Sequence, residues 1–245
     1  MVSDSVITFE NVSKEFKLSK LRVRSFQEIF VNLFNQEARG KHQFWALKDV
    51  SFSIKAGETV GILGANGSGK STILKLISRI IDPTQGVIAV SGRLSALLEL
   101  GAGFHPDLTG RENIYLNGSI LGLDRKAMNK KLDAIIAFAD IGEFIDVPIR
   151  SYSSGMQVRL GFSVAVHVEP EIILVDEVLA VGDYEFQLKC LDRIRQMQKQ
   201  GVTILFVSHD FRAVENLCTQ AIWLEEGKLR AQGDVGKILM QIKER

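Results

Sequence analysis

Nine consecutive residues carry the clearest chemistry in the chain: Gly64, Ala65, Asn66, Gly67, Ser68, Gly69, Lys70, Ser71 and Thr72. They fit the pattern G-x-x-x-x-G-K-[ST], in which glycines free the backbone to turn its N–H groups toward phosphate oxygens. Lys70 supplies a cation long enough to reach the outer phosphates, and Ser71 a hydroxyl that can sit on Mg²⁺. Residues 60–63 before the loop read as a buried strand, and Ile73, Leu74, Leu76 and Ile77 after it begin a helix. The pattern needs that context, because a helix N-terminus adds the positive end of its dipole to the anion site.

Three other groups belong to the same chemistry. Four apolar residues, 172–175, lead to Asp176 and Glu177. A carboxylate pair at a strand end can do no more than cap the next segment. Beside a phosphate loop, Asp176 is suited to hold Mg²⁺ through its waters and Glu177 to polarise the attacking water. A second strand, 203–207, ends in Ser208, His209 and Asp210. A lone histidine is more often structural, but parallel neighbouring strands would bring the loop, Asp176, Glu177 and His209 to one carboxyl edge, where ligands bind in open α/β sheets. His209 is therefore expected to contact a γ-phosphate. Finally, Ser153, Ser154, Gly155 and Met156 open an apolar helix. They read either as an ordinary serine cap or as a second anion site aimed at phosphate from another molecule.

The elements that must position these groups alternate along the chain. Short runs rich in β-branched residues recur at 7–9, 50–54, 60–63, 87–90, 172–175, 203–207 and 221–224, with helical patterns between several of them. This predicts an α/β fold with a mostly parallel central sheet and an antiparallel N-terminal portion. Met128, Leu132, Ile135, Ile136 and Ala139 recur at helical spacing, so residues 94–149 read as a helical lobe inserted in the core. Residues 17–43 interleave six Lys or Arg with apolar residues and read as an amphipathic insertion. Its basic face is either solvated on its own domain or a dock for a membrane partner or anionic headgroups.

Composition removes other classes. Thirty basic residues against 29 acidic ones leave a formal charge of +1, short of the footprint of a dedicated DNA or RNA binder. Two cysteines, Cys190 and Cys218, fall in helix-like segments, which speaks against a disulfide scaffold and for a reducing compartment. Residues 1–5 include Asp4 and do not read as a secretory signal, and the longest apolar run, 202–207, is far short of the ~20 residues that cross a bilayer. Any membrane role is expected to come through a partner.

With these motifs in this order, the sequence resembles the nucleotide-binding subunits of ABC transporters over nearly its whole length. The resemblance implies a phosphate-loop ATPase core filling residues 1–245 as a single ATP-binding domain, with ATP and Mg²⁺ as ligands. It implies a head-to-tail pairing of two copies, with ATP held between the phosphate loop of one and Ser153, Ser154, Gly155 and Met156 of the other. Asp183, after Ala180, Val181 and Gly182, would lie in the loop that communicates across that pair. Hydrolysis would drive a polytopic membrane subunit from the cytoplasmic face of the plasma membrane.

Within the family, residues 98–105, Thr109 to Tyr115 and Tyr152 to Met156 are similar to the subunits that export O-antigen, capsule or teichoic acid. The family's adenine-stacking aromatic falls in register on Phe16, with Phe44 or Trp45 as alternatives. Two positions depart from the common pattern. Tyr152-Ser153-Ser154-Gly155-Met156 stands where most relatives have Leu-Ser-Gly-Gly-Gln, and Leu100 beside Glu99 stands where they have a Mg²⁺-sensing Gln. Glu99 could take that role, as an acceptor only. Some members continue into a carbohydrate-binding domain, and glycan recognition is not visible in this chain. A soluble ABC-type ATPase acting on DNA or ribosomes is the rival reading. By the same resemblance it would bring a long coiled-coil insertion or two ATPase halves, and neither is present in these residues.

Overall fold

The computed structural model describes residues 5–18, 42–97, 100–101, 103–176, 182–208 and 210–244. The 17–43 insertion therefore lies almost wholly outside the described residues. Two long strands, β1 (Ser5–Leu18) and β2 (His42–Lys55), pair antiparallel, and β4 (Gln85–Val90) joins the other edge of β1. A second sheet runs in the order β5 (Leu94–Ala96), β6 (Ile172–Val175), β7 (Thr203–Val207), β3 (Thr59–Leu63), β8 (Gln220–Glu225), β9 (Lys228–Asp234). All its pairings are parallel except β8 with β9. The α/β class and the antiparallel N-terminal portion thus stand as expected.

The apolar runs of β3, β6 and β7 follow from this placement. Every residue of the three strands is buried, as strands covered on both faces must be. Successive side chains alternate between two cores. Ile172, Leu174, Leu205 and Val207 pack with Phe9, Val50, Phe52, Ile73 and Leu74 from the three-stranded sheet and from α1 (Lys70–Ile77). Ile173, Val175, Ile204 and Phe206 pack on the opposite side with Phe186, Cys190 and Ile194 of α5 (Tyr184–Lys199). Each such fully buried aliphatic contributes on the order of 2 kcal/mol.

A third core forms the helical lobe. α2 (Gly110–Ile120), α3 (Arg125–Ala139) and two 3₁₀ turns, Gly142–Asp146 and Ile149–Ser151, pack around Ile114, Met128, Ile135, Ile145 and Tyr152. The next helix, α4 (Ser154–His167), shares its sides between two cores. Leu160 and Val164 face the lobe, and Phe162, Ala165 and Val166 face the central sheet. This explains why α4 is apolar nearly all round. The lobe's expected lower boundary shifts, because Leu94–Ala96 is the edge strand of the central sheet. Its three residues are too few to show a strand period. The chain closes with α6 (Phe211–Leu217) and α7 (Val235–Lys243). Cys190 and Cys218 are both buried free thiols, pushed up to about 12 by burial.

Candidate nucleotide site

β3 delivers the glycine loop to the carboxyl edge of the sheet, and α1 leaves from it. Gly64, Gly67 and Gly69 have φ of 151°, 81° and 107°, a region costly for other residues. Close packing forbids a side chain at two of them. A Cβ on Gly64 would lie 2.3 Å from the Leu224 carbonyl oxygen, and one on Gly69 would lie 2.7 Å from that of Ala46. Gly69 is the N-cap of α1 and offers no side chain to it, so the first-turn N–H groups remain for an anion. The Lys70 ammonium donates to the carbonyls of Gly64 (2.8 Å) and Ala65 (3.1 Å), which curls the side chain over the loop although the residue is buried.

The close approach of Ala46 to Gly69 brings β2 to the loop and completes a cleft of about 360 Å³. Asn66, Gly67, Gly69, Lys70, Ser71 and Thr72 form one side of it. Phe16, Phe44 and Ala46 form another, and Asp176 and Val207 stand at its inner edge. Phe16 and Phe44 are direct cross-strand partners, 37% and 51% exposed. Both aromatic candidates for base stacking therefore reach the cleft, whereas Trp45, one residue on, points to the other face of β2. Asp176 follows Val175, whose partner on β7 is Phe206, and Ile62 pairs with Val207. The parallel register thus levels Val175 with Gly61 of β3, so that the end of β6 lies close before the loop. Glu177, His209 and Glu99 lie outside the described residues.

Ser153 and its neighbours form a separate surface, since none of Ser153, Ser154, Gly155 and Met156 lines the cleft. Ser153 is the N-cap of α4, and its hydroxyl accepts the Met156 N–H at 3.2 Å. Ser153 and Ser154 are exposed. Tyr152 beneath them is buried and donates its hydroxyl to the Phe144 carbonyl, and burial pushes its pKa up to about 12. Asp183 caps α5 by accepting the Phe186 N–H at 2.9 Å, and that bond, with help from Arg159, holds its carboxyl below the usual range. Within the loop Ser68, like Lys70, is buried.

A glycine loop between a central parallel strand and an uncapped helix, with an acidic residue at the end of β6, the next strand but one, defines a phosphate-loop nucleotide-binding protein. The sequence profile of the ABC transporter family matches residues 47–180. The chain is 47% identical over 243 residues to the O-antigen export system ATP-binding protein RfbB of Klebsiella pneumoniae, covering 98% of each. It is 43% identical over 238 residues to the teichoic acids export ATP-binding protein TagH of Listeria monocytogenes, covering 97% of this chain and 70% of that one. In fold it resembles an ATP-binding subunit of an ABC transporter (TM-score 0.77, 21% identity, 98% and 95% of the two chains). A dimeric cassette, MJ0796, solved after hydrolysis with ADP and Pi, is similar at TM-score 0.72, 23% identity and 94% and 98% coverage. The chain belongs to the ABC transporter family of ATP-binding proteins.

Residue reading alone did not single out Ala46 and Val207 as cleft lining, nor the partner of Asp183. The first two are small or apolar backbone neighbours that carry no chemical signature. The third, Arg159, is the single Arg, Lys, Asp or Glu of an apolar helix, and that was the available signal.

Proposed function

We infer that the chain is the ATP-hydrolysing motor subunit of an exporter for a polysaccharide of the O-antigen, capsule or teichoic acid kind. The observation that carries this reading is full-length similarity: relatives named for O-antigen export align over 98% of both chains. ATP fits the cleft with its base against Phe16 or Phe44 and its phosphates on the loop N–H groups and Lys70. The oxygen donors Ser71 and Asp176 line the same cleft and suit Mg²⁺, a hard cation that neutralises phosphate charge. Glu177 polarises the attacking water and His209 contacts the γ-phosphate. Glu99 stands in for the usual Gln beside the metal.

The second half of the site comes from another copy, through Ser153, Ser154, Gly155, Met156 and the Asp183 loop. An exposed, capped helix N-terminus that does not reach its own cleft supports this arrangement. The membrane subunit meets the groove between the helical lobe and the sheet, where Ile80, Leu100, Ile120 and Leu121 surround about 380 Å³ and Ile80 and Ile120 are 53% and 63% exposed. Among the described residues no helix is long and apolar enough to cross a membrane. The chain would work as a peripheral subunit on the cytoplasmic face, with no nucleic-acid partner.

Crosslinking on intact membranes followed by affinity capture of the chain tests this reading. A polytopic membrane protein linked to the Ile80 and Ile120 groove is the expected result. Recovery with ribosomes or DNA instead would contradict it.

A further inference from the structure

The aromatic arm of β1 extends past the end of β4. Gln85, the first residue of β4, pairs with Ser13, so residues 14–18 have β2 on one side and, among the described residues, no strand on the other. The turn that follows α1 takes that place. The Thr84 N–H donates to the Ser13 carbonyl at 2.9 Å, and the Glu15 N–H donates to the Thr84 hydroxyl at 3.0 Å. The Lys14 ammonium donates to the Asp82 carbonyl at 2.7 Å. It also lies 5.3 Å from the centroid of the Phe16 ring, within the range of a cation–π contact.

These bonds differ in what they hold. Both Thr84 bonds run to the backbone of β1 and need no particular side chain at position 14. Only Lys14 reaches the Phe16 ring. Phe16 lines the cleft and Lys14 does not, so the ammonium acts on a base through the ring. Its other contact, the Asp82 carbonyl, follows Ile77, the last residue of α1, by five positions. That turn is itself bonded back to α1, through the N–H groups of Ser78, Arg79 and Ile80 and the carbonyls of Leu74, Leu76 and Lys75. One half-buried cation thus joins the ring to the far end of the helix whose first turn faces the phosphates. Among the described residues a cation stands over Phe16 and none over Phe44, which separates two rings that the cleft alone leaves equivalent.

We propose that Lys14 is a positioning residue for the nucleotide base: it holds the Phe16 ring at a set distance from the phosphate loop, with α1 and its closing turn as the spacer. This rests on the placement of the base against Phe16 above. A ring already fixed before ATP arrives loses less freedom when the base stacks on it. Lys14 therefore favours binding of ligands that carry a base, and a bare phosphate chain gains nothing from it.

The test compares the full chain with Lys14→Met, Lys14→Arg, Phe16→Ala and the variant combining Lys14→Met with Phe16→Ala. Two quantities are measured on each: steady-state ATPase kinetics, and inhibition by inorganic tripolyphosphate, which offers phosphates without a base. Lys14→Met is expected to raise KM for ATP about 3- to 5-fold, the size of an exposed cation–π contact. The loss falls on KM rather than kcat, because stacking acts equally on ground and transition states. Lys14→Arg keeps both the cation and a donor and is expected to stay within about 1.5-fold of wild type. The inhibition constant of tripolyphosphate should not change in Lys14→Met, and Lys14→Met should add nothing to Phe16→Ala. An unchanged KM in Lys14→Met overturns the proposal, as does a Lys14→Arg variant as weak as Lys14→Met. Equal losses for ATP and tripolyphosphate, or an effect that persists undiminished without the Phe16 ring, overturn it too. A wild-type KM in Phe16→Ala overturns the placement of the base on Phe16 and this proposal together.

Discussion

Phe16 and Phe44 illustrate what a single residue decides here. Both rings reach the cleft because β1 and β2 pair them directly and because Gly69 lets β2 settle on the loop. Base–aromatic stacking contributes about 1–3 kcal/mol. Phe16→Ala and Phe44→Ala are therefore each expected to raise KM for ATP about 10-fold with little change in kcat, because stacking acts equally on ground and transition states. Steady-state kinetics on the two purified variants measures this. A shift in only one of them would assign the base to that ring alone. The phosphate loop was legible in the sequence because glycine, lysine and hydroxyl types at fixed spacing are themselves the chemistry. The aromatic wall was half legible, since only strand register decides which of Phe44 and Trp45 faces the cleft. Arg159 was not legible, because its partners lie 24 residues away along the chain at Asp183 and at the end of another helix.

At the scale of elements, the buried amide of Asn113 organises the loop that leads into the helical lobe. Its oxygen accepts the His105 N–H at 2.7 Å, and its nitrogen donates to the carbonyls of His105, Leu108 and Thr109. A capping box between Thr109 and Glu112 and ion pairs from Arg111 to Asp146 and Arg150 to Asp107 hold the same turn. The exposed pairs contribute little, so Asn113 carries most of the effect. Asn113→Ala removes four hydrogen bonds and leaves the His105 N–H without an acceptor, although the three carbonyls keep backbone donors, and is expected to cost about 3 kcal/mol. For a chain of this size that lowers the thermal midpoint by about 6–12 °C, readable by calorimetry. A shift of about 1 °C or less would show that the capping box alone suffices. The sequence made Thr109 to Tyr115 conspicuous as a motif, and the hydrogen bonds supply its physical content. The strands of the central sheet were legible from their unbroken apolar runs. β5 and β9 were not, one being three residues long and the other alternating exposed and half-buried positions with only Leu229 and Ala231 to mark its inner face.

At the scale of the whole molecule, the two candidate anion-binding surfaces do not form a single closed site. The glycine loop, Lys70 and Asp176 share one cleft, and Ser153 and its neighbours stand elsewhere at the tip of α4. α4 touches the lobe, the central sheet and the segment after Glu99, where Gly161 lies so close to Gly101 that a Cβ would be 2.7 Å from its nitrogen. It is thus placed to relate movement of the lobe to the edge of the sheet that carries the cleft. In the proposed arrangement the second half of the site comes from another copy, which the elements of one chain do not by themselves fix. The central claim is that two copies share each ATP site, and the most direct measurement is ATPase rate against protein concentration at saturating ATP. A rate that rises more steeply than linearly while dimers are scarce, becoming linear once they are saturated, is the predicted result; strict proportionality over the whole range would contradict it.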